Sequence, residues 1–147
     1  LTGPGINVAD VIRATDFVLP AIEIADFRVA RAAGMDVRDI TADMGAAGGV
    51  VLGRNPVSLH GLDIRAVNSS LIINEEERAK GVASEVLGNP LTAVAWLANK
   101  LGESGTALEP GDVILSGAMH SAQPVEAGDH IIARFDNGLG DIKLSFC

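Results

Sequence analysis

Glu23 is the carboxylate whose surroundings first suggest chemistry. It stands between Ile22 and Ile24 in an apolar run, where a negative charge is costly unless it is paired or bound to a cation. Strand alternation leaves a second reading open, and periodicity alone favours it: a side chain between two inward isoleucines can simply face solvent. Asp39 and Asp43, in Asp39-Ile40-Thr41-Ala42-Asp43, could hold a site from behind or cap a short helix or turn, and these readings stand level. Ser116 and Gly117 could offer a hydroxyl and a backbone N–H to a substrate oxygen, or merely end a strand. Glu75 and Glu77 have a Glu-x-Glu spacing, but Asn74-Glu75-Glu76-Glu77 reads as a solvated turn. His60, His120 and His130 are scattered, and there is no nucleophile motif, Gly-rich phosphate loop or Cys/His metal cluster. His60 and His130 read as surface or turn residues, and Trp96, in mid-helix, reads as a packing residue.

These groups need elements to position them. With 147 residues and 48% hydrophobic content, the chain is expected to form a single domain with a real core. Asn7 stands as N-cap for a short helix over Val8–Thr15. The stretch from Asp16 to Val29 is rich in strand formers, with Ile22, Ile24 and Phe27 as inward candidates and Pro20 at an edge or bulge. The small-residue stretch 30–49 lacks periodicity and includes a short helix or loop at 39–43. Val50–Gly53 reads as a short buried strand ended by Asn55-Pro56, and segments 64–74 and 78–84 as a hairpin around the acidic tip. Asn89 as N-cap, Pro90 at the first helical position and the face Leu91, Val94, Ala95, Leu97, Ala98, Leu101 define an amphipathic helix ending at Gly102. Strands are expected at 112–116, 130–135 and 142–146. Glu109-Pro110-Gly111-Asp112 and Glu126-Ala127-Gly128-Asp129 read as two similar turns feeding the first two of these. Many strands with one long helix and no βαβ alternation indicate α+β.

The balance of 11 basic against 19 acidic residues, a formal charge of −8, with no basic patch, argues against a phosphate-tracking surface and against nucleic acid as a partner. An acidic molecule that takes an anionic substrate needs a local positive centre such as a divalent cation. The one cysteine, Cys147, permits no intrachain disulfide, so a cytoplasmic location is expected. No apolar run approaches the roughly 20 residues that cross a bilayer, and no membrane association is expected. A start on Leu1 rather than Met suggests that the sequence begins inside a longer chain.

Several short segments together resemble the C-terminal part of the fumarylacetoacetate hydrolase superfamily, in the branch of the 2-keto-4-pentenoate (2-hydroxypenta-2,4-dienoate) hydratases and 4-oxalocrotonate decarboxylases. They are Pro20-Ala21-Ile22-Glu23-Ile24-Ala25-Asp26-Phe27-Arg28, Asp39-Ile40-Thr41-Ala42-Asp43, Gly53-Arg54-Asn55-Pro56, Asp63-Ile64-Arg65, Gly88-Asn89-Pro90 with 94–99, Leu115-Ser116-Gly117, Pro124-Val125, Gly128-Asp129, Gly138-Leu139-Gly140 and Phe146. Each is weak alone; in this order over nearly the whole chain they are specific.

The resemblance implies a mixed, mostly antiparallel β-roll with one long amphipathic helix, carrying magnesium or manganese on three carboxylates. Hard oxygen ligands suit these ions. Glu23 matches the third carboxylate, while the other two and a catalytic lysine belong to the region before Leu1. The implied reaction is hydration of a 2-hydroxy-2,4-dienoate or its 2-keto tautomer in aromatic meta-cleavage catabolism. The cation would polarise the C2 oxygen while ketonisation prepares the distal double bond for water. Asp43 and Ser116 are expected to serve catalysis, Ser116, Gly117 and His120 to touch substrate, and Asp39 and Asp43 to support the site. Decarboxylation on the same centre, or a catalytically silent partner subunit of a hydratase–decarboxylase complex, are the alternatives. A homo-oligomer is expected, and the stretch by itself is expected to lack turnover. Departures from the family pattern fall at Met44, where asparagine is usual, at Ala46 and Ala47, where serine or asparagine is usual, and at His120, where a small residue such as threonine is common.

Overall fold

A computed structural model of the chain describes residues 1–29 and 34–147. The part of the small-residue stretch that falls on 30–33 lies outside the described residues. The elements run α1 (Val8–Ala14), β1 (Ala21–Ala25), α2 (Val37–Ala42), β2 (Ala47–Leu52), β3 (Asn68–Ile73), β4 (Glu76–Val82), α3 (Pro90–Gly102), β5 (His130–Phe135) and β6 (Gly140–Ser145), with single 3-10 turns at Met44–Ala46, Ile64–Ala66 and Ala83–Glu85. All strand pairings are antiparallel and form two sheets, β4-β3-β5-β6 and the ribbon β1-β2. The α+β expectation holds, with α3 as the one long helix.

The larger sheet follows from alternation. Ser69, Leu71 and Ile73 share one face of β3, and register places Leu71 against Ala133 and Ile73 against Ile131. Ile131, Ala133 and Ile142 are buried there. The β3–β4 hairpin closes through Asn74 and Glu75, with φ of 50° and 70°, the left-handed pair that a two-residue type I′ connection requires. Glu75 and Glu77 accordingly lie at and beside an exposed tip.

Helix α3 forms as read: the Asn89 side chain accepts from the Leu91 N–H at 3.0 Å and Pro90 occupies the first turn. Leu91, Ala95 and Ala98 are buried at helical spacing, and Leu91 and Ala95 pack on Val11 of α1. Asn99 ties the amino-terminal segment to this helix, accepting from the Ile6 N–H and donating to the Ile6 carbonyl, both at 2.8 Å. A second cluster, Val67, Ala83 and Leu139, lies against the loops around Val18, Val57 and Met119, and Ile64 packs against both clusters.

Four expectations are corrected. The strand in 16–29 is confined to Ala21–Ala25, because Pro20 has no N–H to pair and register shifts at Ile24/Ala25; Val18 makes only an isolated bridge to Val57. The Val50 strand exists but is not buried: Val50 is 45% exposed, because a two-stranded ribbon leaves its faces to be covered by something else. Segment 112–116 is not a strand, since no partner strand lies beside it among the described residues, and Val113 and Leu115 are exposed. Trp96 is 62% exposed; one residue past Ala95 on a helix is about 100° off the buried stripe. The two acidic turns do share a geometry. Glu109 N–H donates to the Asp112 carboxylate and Glu126 N–H to that of Asp129, both at 2.8 Å, with Gly111 and Gly128 each at φ 95°. Only the second feeds a strand.

Candidate functional site

The ribbon carries Glu23. Glu23 stands opposite Val50 in the register, and it is exposed while Ile22 and Ile24 are half-buried, so it points away from the isoleucine face. Its carboxylate makes no hydrogen bond or ion pair among the described residues. Strand alternation does this locally; the ribbon's open face leaves the group accessible. At the near end of β2, Gly53 donates to the Pro20 carbonyl at 2.9 Å, and a Cβ at Gly53 would collide with the Pro20 ring. This close approach unites the Pro20 and Gly53 motifs.

Beyond β1 the chain is clamped to α2. Asp43 caps the C-terminal end of α2 and is only 7% exposed. Its carboxylate accepts from the Arg28 backbone N–H and from the Arg28 guanidinium, both at 3.2 Å. The same guanidinium donates to the Asp43 carbonyl at 3.0 Å and to the Ala47 carbonyl. Arg28 therefore joins the end of β1, the end of α2 and the start of β2 in one hydrogen-bonded knot. A buried carboxylate is tolerated on such terms. Asp39 is exposed and serves the capping box of α2, accepting from the Asp36 N–H at 2.9 Å. Asp36 is held below the ordinary aspartate pKa, first by the side chain of Arg38 and then by its N–H.

Ser116, Gly117 and His120 lie elsewhere, in the long connection between α3 and β5. Ser116 is half-buried, Gly117 sits at φ 124° against Val86, and His120 Nδ1 is 3.1 Å from the Ser121 carbonyl. A carbonyl only accepts, so Nδ1 carries the hydrogen in this contact. No hydrogen bond or ion pair among the described residues joins this loop to Glu23 or Asp43. The expected site residues thus fall into two groups, Glu23 with Asp39 and Asp43 on the ribbon side, and Ser116, Gly117 and His120 on the sheet side. His60 is exposed in a turn, and His130 Nδ1 lies 2.7 Å from Ser145 Oγ across β5–β6.

The loop does line a groove of about 530 Å³ with Asn68, Ser69, Lys80, Glu85 and Met119. Its floor is tight, for a Cβ at Gly81 would collide with the Met119 carbonyl. Ser69 went unremarked in the sequence. The available signal was a hydroxyl on the inward alternation of β3, in phase with Leu71 and Ile73.

The chain is thus an antiparallel α+β fold with a carboxylate that is unpaired among the described residues on an open ribbon, and a polar groove beside its main sheet. Residues 9–146 match the family described as fumarylacetoacetate (FAA) hydrolase C-terminal, and the chain belongs to this family. It is 37% identical over 149 residues to the 2-hydroxyhexa-2,4-dienoate hydratase of Comamonas testosteroni, covering 99% of this chain and 54% of that protein. Likeness to the 2-oxo-hept-4-ene-1,7-dioate hydratase of Escherichia coli is 36% over 154 residues, with coverage of 99% and 56%. Among solved structures, 4-oxalocrotonate decarboxylase from Pseudomonas putida G7, complexed with magnesium and adipate, superimposes with a TM-score of 0.93 at 35% identity, over 100% of this chain and 55% of that one. The chain spans about half the length of the curated relatives it matches. Among the described residues no three His, Cys, Asp or Glu side chains are placed to hold a metal ion, and no helix is long and apolar enough to cross a membrane.

Proposed function

We propose that this chain is the C-terminal portion of a divalent-metal-dependent hydratase that adds water to a 2-hydroxy-2,4-dienoate in aromatic meta-cleavage catabolism. The observation that carries the reading is Glu23, an exposed carboxylate without a partner among the described residues, which the resemblance matches to the family's ligand position, in a chain 36–37% identical to hydratases. Magnesium or manganese is the cation that hard carboxylate oxygens favour. One carboxylate does not make such a site, so the described residues do not fit the ion by themselves. The remaining donors are assigned to the part of the protein outside this chain, and the chain alone is expected to be inactive.

Within the reaction, this chain's own residues position the site and orient the substrate. The Arg28–Asp43 knot holds the end of β1 and thereby the pitch of Glu23. Ser116 and the Gly117 N–H are assigned to a substrate oxygen, and His120, which lines the groove, to the other end of the acid. Decarboxylation is the second reading, favoured by the superposition on a decarboxylase. Both reactions start from a 2-keto or 2-hydroxy acid.

The test uses a protein that carries this chain together with its upstream half. The parent should consume 2-hydroxypenta-2,4-dienoate faster than 4-oxalocrotonate. Glu23→Gln should lower both manganese affinity, read by calorimetry, and turnover by at least about 10- to 100-fold, with stability changed by less than about 0.5 kcal/mol. Unchanged manganese affinity would return Glu23 to a solvent-facing strand residue. Intact metal binding without turnover of either acid would identify a silent subunit.

A further inference from the structure

We propose that the outer edge of β6 is an interaction surface for a second copy of this chain, the two β6 strands pairing antiparallel about a two-fold axis at Ile142. In the order β4-β3-β5-β6, β6 ends the sheet and has β5 as its one strand partner among the described residues. A strand paired on one side leaves its alternate N–H and C=O groups without a ladder, and such an edge is a template for another strand. The ribbon end meets β6 from beneath the sheet and not along its edge. A Cβ at Gly53 would stand 3.4 Å from the Ile142 side chain, and one at Gly140 would collide with Asn55; Gly140 and Ile142 share the core face by alternation, and Ile142 is buried.

The charges select the occupant. Asp141 and Lys143 alternate onto the other face, and both are exposed. Lys143 has no ion-pair partner among the described residues. Asp141 stands 3.7 Å from Arg134, a surface pair of the kind that contributes little. Centred on Ile142, the two-fold pairing sets Asp141 of each copy opposite Lys143 of the other, once on each side of the axis. Centred on Asp141 or on Lys143, it would set like charges face to face, and directly opposite charges stabilise when unlike and destabilise when like. The edge is therefore self-complementary in one register, as an isologous contact requires. This concerns assembly and does not depend on which acid the protein transforms.

The test uses the protein that carries this chain with its upstream half, in a background where Cys147 and any upstream cysteine are replaced by Ser. Asp141→Cys protein is mixed with Lys143→Cys protein and oxidised. The mixture should form an interchain disulfide, because directly opposite residues lie within bridging reach; neither variant alone should do so, because like positions fall on the diagonal, roughly 7–8 Å apart. In the uncrosslinked background, Lys143→Glu should weaken self-association about tenfold in sedimentation, and adding Asp141→Lys should restore it. Circular dichroism checks that the charge variants fold, and the cysteine pair decides the matter if they do not. Absence of the mixed disulfide, equal crosslinking of either cysteine variant alone, parent-like association of Lys143→Glu, or no restoration by the double exchange overturns the pairing and assigns the edge to the upstream half or to solvent.

Discussion

Two antiparallel units in this molecule use similar apolar residues to opposite ends. In the four-stranded sheet, Ile73, Ile131, Ala133 and Ile142 are turned inward and buried, and neighbouring strands fix one another's register on both sides of β3 and β5. In the ribbon, Val50 and Leu52 remain exposed, and among the described residues β1 and β2 have only each other as strand partners. The first unit is held by apolar burial. The second is held by its backbone pairing and by the polar knot of Arg28 and Asp43, and it leaves Glu23 exposed. Packed regions carry stability, and open ones carry accessible chemistry.

The contrast is broken or sharpened most directly by truncation on each side. Ile142→Ala removes a buried side chain, 4% exposed, and should cost about 2 to 5 kcal/mol. Val50→Ala in the ribbon should cost less than about 1 kcal/mol. Urea unfolding of both variants checks this, and equal losses would mean that the ribbon face is covered in solution.

A smaller effect should come from the knot. Arg28→Ala strands the Asp43 carboxylate, which stays buried while losing its guanidinium, so a loss of about 1 to 3 kcal/mol is expected. Hydrogen exchange should locate it: amides of α2 and β2 should lose protection while those of β3 and β5 keep theirs. Uniform loss across the chain would show that the two units unfold as one.

The smallest effect has the opposite sign. Met44 and Ala46 hold left-handed backbone, φ 55° and 62°, a region that asparagine and glycine enter more readily than other residues. Met44 is well exposed and gives up little packing when replaced. Met44→Asn, which restores the residue usual at this family position, should stabilise by a few tenths to about 1 kcal/mol. A lower Tm would mean that Met44 packs against something beyond the described chain.

Local rules made much of this protein legible from its residues. Asn7 and Asn89 cap their helices, Pro90 opens α3, the 130–135 strand falls where its alternation places it, and Asn74-Glu75 turns the hairpin. Each is decided within a few residues by hydrogen bonding to the nearest backbone or by a period of two or 3.6. The ordered motifs from Pro20 to Phe146 identified the family, because they mark close approaches such as Gly53 on Pro20 that tolerate few other residues. Tertiary structure decided what depends on a second segment arriving. The 112–116 run has strand composition but no neighbour to pair with, and Val50 has strand geometry without a cover. Trp96 lies just off the buried stripe of α3. Asp43 became buried because Arg28, 15 residues away, reaches back to it. Ser69 Oγ became buried without a partner among the described residues, on the strand next to Gly81, where Met119 comes close. Alternation can say which side a residue faces; only the fold says what waits on that side.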